Sequence, residues 1–89
     1  MAGIGIEAVE SAIERGFGPT TINRRVDPDS YSTVLSLEAE GRIFIVRVSN
    51  EFDQDFPSGT SSDLEQLAPL LRATPGGTVA VTTTGIRPA

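Results

Sequence analysis

The stretch YSTVLSLEAEGRIFIVRVS, residues 31–49, reads as a β-hairpin, and the rest of the chain is interpreted around it. Along the first arm Tyr31, Thr33, Leu35 and Leu37 point one way and Val34 and Ser36 the other, the two-residue period of a strand. The second arm, residues 42–49, is apolar on both faces near its middle. Ile43 and Ile45 share one face, and Phe44, Val46 and Val48 share the other. Such a strand is usually central, with a layer on each side or a partner over one of them. Glu38-Ala39-Glu40-Gly41 joins the arms, and Gly41 suits the left-handed position of a three- to four-residue loop.

On the N-terminal side, residues 20–26 alternate Thr20, Ile22, Arg24 and Val26 against Thr21, Asn23 and Arg25. This predicts a short edge strand, followed by a turn at Asp27-Pro28-Asp29-Ser30. Before it, a helix is expected over residues 6–15. Ile6, Val9, Ile13 and the following Phe17 make an apolar stripe flanked by Ala8 and Ala12, with Glu7, Glu10 and Glu14 opposite. Glu7 in the first turn and Arg15 in the last complement the helix dipole, and Gly16 is placed as the C-terminal cap.

On the C-terminal side, Ser62-Asp63-Leu64-Glu65 has the form of a capping box, which starts a helix with the stripe Leu64, Leu67, Ala68 and Leu71. Pro69 predicts that this helix is kinked or short. Pro75-Gly76-Gly77 is a turn, and residues 78–84 are a last alternating strand. Residues 1–4 and 85–89 are expected to be flexible ends. The expectation is one α+β domain over residues 1–89, in the order helix, doubtful strand, strand, strand, helix, strand. It would be a small mixed or antiparallel sheet of three to four strands with two helices on one face. A strand parallel to residues 42–49 at the end would require a right-handed crossover.

Composition excludes much chemistry. The chain has no cysteine, histidine or lysine. Thiol nucleophiles, imidazole bases, thiolate or imidazole metal ligands and Schiff-base lysines are therefore ruled out. No run of apolar residues reaches the ~20 that span a bilayer, and the first residues lack the form of a signal peptide, so the expected location is cytoplasmic and no membrane partner is expected. The net charge is −5, with only Arg24 and Arg25 adjacent, which argues against a nucleic-acid partner.

Three motifs invite a site. Gly3-Ile4-Gly5-Ile6-Glu7-Ala8 has the form of a dinucleotide fingerprint, but only two residues precede it, too few for the strand that the mechanism needs. Pro75-Gly76-Gly77-Thr78 follows a helix and precedes a strand, the reverse of a phosphate loop. Glu51, Asp53 and Asp55 alternate in a loop with Asp63 beyond them, and carboxylates can hold calcium or magnesium. Their spacing fails the EF-hand pattern, and Phe52 and Phe56 suit rings that anchor a solvated loop. No catalytic set of nucleophile, base and orienting group can be paired, and neither a cofactor nor a dedicated metal site is expected. The leading functional expectation is a small acidic protein–protein interaction or regulatory module without catalytic activity. Its partner would be another protein or a second copy of itself, and one version meets a basic surface. The alternative is a domain that binds a small ligand or divalent cation through the acidic loop 51–63.

Overall fold

The computed structural model describes residues 4–29, 31–51, 64–82 and 85–88. Its elements are helix α1 (Ile4–Phe17), strands β1 (Ile22–Asp27), β2 (Ser32–Ala39) and β3 (Arg42–Ser49), helix α2 (Leu67–Ala73), and strands β4 (Thr78–Thr82) and β5 (Gly85–Pro88). The strands form one sheet in the order β1-β2-β3-β4-β5, with β3 and β4 parallel and the other pairs antiparallel. The sheet has five strands rather than the three to four expected. Residues 85–88, read in the sequence as a tail, are the fifth. Ile86 is the reason: it lies opposite Val81 and packs against the core, which a free tail would leave in water. With one aliphatic residue in four, the segment carries no alternation for a sequence reading to detect.

The hairpin is built as expected but turns more tightly. Ala39 pairs with Arg42, so only Glu40 and Gly41 form the loop, and both have positive φ, 55° and 75°. Two left-handed residues make the turn whose twist matches that of the flanking strands. Glu38 and Ala39 belong to β2 instead of the loop. Tyr31 stands outside β2, with φ 51° and its side chain exposed, so it does not share the inner face with Leu35 and Leu37.

Period-two alternation then sorts the sheet into two faces. Leu35, Leu37, Phe44, Val46, Val48, Val79 and Val81 all lie on one side. They form a single core with Ile6, Val9 and Ile13 of α1 and Leu67 and Leu71 of α2. Both helices therefore cover the same face. Phe44 is fully buried at its centre, its ring centroid 5.0 Å from that of Phe17.

Both helices depart from the sequence reading at their ends. α1 runs through Gly16, and Gly18, at φ +84°, takes the left-handed cap position while its amide donates to the Glu14 carbonyl at 2.8 Å. Gly16 serves packing instead, since a Cβ there would collide with Ala68 Cβ. α2 begins at Leu67, and its N-cap Gln66 makes no side-chain capping bond. The Ser62 and Asp63 of the expected capping box lie outside the described residues. Starting at Leu67 puts Pro69 in the first turn, where amides have no intrahelical acceptor, so the missing N–H costs no hydrogen bond.

Two arginines fasten the helix ends to the hairpin. Arg72 donates to both carboxylate oxygens of Glu40, at 2.7–3.2 Å, and to the Gly16 carbonyl at 2.8 Å, with its guanidinium 4.4 Å from the Phe17 ring. Arg42 donates to the carbonyls of Arg72, Thr74 and Pro75 at 2.9–3.2 Å and lies 4.8 Å from the Phe44 ring. These carbonyls sit at the C-terminal end of α2, where a positive charge is favoured.

Candidate functional site

The second face of the sheet is the part of the fold that the core does not use. On it Ser32 and Val34 of β2 are buried, 6% and 7% exposed. β3 places Ile43, 63% exposed, and the half-buried Ile45 there. The register that puts Phe44 and Val46 in the core forces these two isoleucines outward, because neighbours along a strand point to opposite sides.

The same register assembles a row that no single strand contains. Arg25 pairs with Val34, Val34 with Arg47, Arg47 with Ala80 and Ala80 with Arg87. Directly opposed residues share a face. Arg25, Arg47 and Arg87 therefore stand in one line across the second face, on β1, β3 and β5, separated by uncharged Val34 and Ala80. Strands lie about 4.8 Å apart, so successive arginines are spaced by about 9–10 Å. All three residues are exposed. Arg47 meets Asp27 at 3.6 Å, with 46% of the Arg47 side chain still open to solvent. An ion pair so long and so exposed holds its partners weakly. The next row towards the hairpin tip is Asn23, Ser36, Ile45 and Thr78, and beyond it Glu38 pairs with Ile43. The described charges on this face are the three arginines, Asp27 and Glu38, a net of +1 on a chain of net charge −5.

Arg24 and Arg25 do not act together. Arg24 turns to the helix side, where its Nη2 donates to Glu10 Oε1 at 2.7 Å and ties β1 to α1. Arg25 joins the row. Glu51 is exposed just after β3, whereas Asp53, Asp55 and Asp63 lie outside the described residues. Among the described residues no three acidic groups converge. Gly5 is buried within α1 and forms no phosphate-binding turn. Gly76 and Gly77 link α2 to β4, and the Gly77 carbonyl accepts the Ile45 amide at 2.7 Å. They are part of the sheet's framework.

One cleft lies on the helix side, with a volume of about 400 Å³, between the C-terminal end of α1 and α2. Its polar groups include Arg15, Glu65 and Arg72. Arg72 is already engaged, and it governs the titration of its partner. Hydrogen bonds from Arg72 hold the Glu40 carboxyl below the usual glutamate range; desolvation opposes this, and the charges of Arg72 and Arg42 add to the lowering. This is an ion pair that holds the hairpin tip to α2.

The arginine row escaped the sequence reading because it joins residues 22 and 40 positions apart, and only the strand register aligns them. The one local signal was Arg47, placed between Val46 and Val48 on the side opposite the core. No helix among the described residues is long and apolar enough to cross a membrane. No protein-family model, curated protein or solved structure matches the chain.

Proposed function

We propose that this chain is a protein–protein interaction module that acts without chemistry of its own and docks through the second face of its sheet. The observation that carries this reading is β3. It is apolar on both faces, yet one face is closed by two helices while Ile43 on the other stays exposed. A large aliphatic residue at that position gains about 1.5–3 kcal/mol when a partner removes it from water. The described residues of this face form a sheet surface, a shape suited to another protein surface more than to a small molecule, which needs a concave site. The arginine row adds a charge pattern that orients the partner and speeds encounter.

A photo-crosslinking residue placed at Ile43 in cells of the source organism tests the proposal, with one at Glu7 on the outer side of α1 as the control. A discrete heavier species from position 43 and none from position 7 is the expected outcome. Crosslinking from α1 alone, or from neither position, refutes it.

A further inference from the structure

We propose that the cleft between the C-terminal end of α1 and α2 binds a free, zwitterionic α-amino acid with an aliphatic side chain. The cleft lies on the helix side of the sheet, so this inference goes beyond the docking reading above and stands apart from it. It exists because the two helices meet through their smallest residues. A Cβ at Gly16 would collide with Ala68 Cβ, and Ala12 stands one turn before Gly16 on α1. Side chains this short leave about 400 Å³ of open space beside the contact, within the roughly 300–1,000 Å³ of small-ligand sites. Ala12, Leu64 and Ala68, each 3–4% exposed, give the cleft an apolar floor.

The charges on its rim select the ligand. Arg72 is occupied by the Glu40 carboxylate and the Gly16 carbonyl. Arg15 and Glu65 are exposed, and among the described residues neither has a hydrogen-bond or ion-pair partner, the other included. The cleft therefore offers one free cation and one free anion beside an apolar floor. A ligand with only a carboxylate would meet Glu65 as well as Arg15, and one with only an ammonium would meet Arg15 as well as Glu65; like charges brought together oppose binding. A molecule that carries both groups satisfies both side chains, with the guanidinium fork of Arg15 matched to its carboxylate. An aliphatic side chain then covers the floor. In a peptide the ammonium and carboxylate stand at opposite ends, so the ligand is a free amino acid.

The test titrates the intact chain, labelled with ¹⁵N, with millimolar leucine and with four molecules that each lack one feature. Isocaproate lacks the ammonium, isopentylamine the carboxylate and glycine the side chain, and leucylglycylglycine holds its two charges far apart. Leucine is expected to shift the amides of residues 12, 15, 16, 65 and 68, and to bind at least tenfold more tightly than each of the others. Arg15→Gln and Glu65→Gln are each expected to weaken leucine at least tenfold, while Arg25→Gln on the opposite face of the sheet leaves it unchanged. All three positions are exposed, and circular dichroism of the variants establishes that they fold. The absence of a saturating shift with leucine, shifts confined to residues outside the cleft, or equal weakening by Arg25→Gln overturns the site. Equal binding of isocaproate that Glu65→Gln leaves unchanged overturns the zwitterion in favour of a simple carboxylate. Equal binding of glycine removes the role of the apolar floor, and equal binding of leucylglycylglycine overturns the free amino acid in favour of a peptide end.

Discussion

Replacing Gly16 by alanine tests the packing of the two helices through the sign of its effect. Within a helix, glycine is about 0.5–1 kcal/mol worse than alanine, because it loses more backbone freedom on folding. Gly16 lies in the last turn of α1 with no positive φ, so helix propensity alone predicts a gain in stability. The tertiary contact predicts the opposite. The added Cβ would collide with Ala68 Cβ, an atom of α2 next to its backbone that cannot swing aside. Ala68 is itself buried, 4% exposed, so relief requires α1 and α2 to separate and loosens the core that both share. Overpacking of this kind costs about 1–3 kcal/mol, which exceeds the propensity gain and leaves a net loss of roughly 1–2 kcal/mol. In a domain of this size each kcal/mol lowers the melting temperature by about 4–8 °C. Urea melts of the wild type, Gly16→Ala, Ala68→Gly and the double variant give the coupling energy directly. Ala68→Gly is destabilising alone, yet it is expected to cancel most of the further loss from Gly16→Ala. A rise in stability on Gly16→Ala, or additive effects in the double variant, refutes the close approach of α1 and α2 at this point.

The remaining predictions address the core, the clamp, the row and the acidic loop. Phe44→Ala is expected to cost about 3–5 kcal/mol in denaturant melts, since the ring is fully buried against Phe17; a loss below about 1 kcal/mol places the core elsewhere. Glu40 has a lowered pKa in the folded state, so its pair with Arg72 contributes stability above the ordinary glutamate pKa of about 4.3, and that contribution disappears as pH falls through the lower folded value. Glu40→Gln is therefore expected to be destabilising at pH 7 and to converge on the wild type in acid, and a constant difference across thermal melts from pH 7 to 2.5 contradicts this. Reversing Arg47 to glutamate is expected to change folding stability by no more than about 0.5 kcal/mol, because its ion pair with Asp27 is long and exposed; a larger loss assigns it a structural role. Millimolar calcium or magnesium is expected to leave the melting temperature nearly unchanged, whereas a rise of several degrees that is lost in Asp53→Asn or Asp55→Asn establishes a cation site.

By itself the sequence determined the elements whose signals are local. The hairpin of residues 31–49 was legible because apolar alternation and a glycine-bearing turn both lie within 19 residues. Phe44, Val46 and Leu35, expected at the sheet centre, are fully buried there, whereas the exposure of Ile43 was not legible, because β3 is apolar on both faces. α1 could be recognised from its stripe of Ile6, Val9 and Ile13, and the turn at Gly76-Gly77 from its composition. The C-terminal end of α1 was misplaced because caps are decided by what the terminal residues meet. Gly16 looked like a cap and is a contact with Ala68; Gly18, two residues on, has the left-handed backbone.

Only the tertiary structure decided that residues 85–88 form a strand, because their stabilisation comes from pairing with β4 and from Ile86 reaching the core. It alone set Arg25, Arg47 and Arg87 in one row. The physical reason is the same in both cases. Local sequence fixes how side chains alternate along one strand, but which residues of different strands stand opposite one another depends on register, and register is set by burial of the common core.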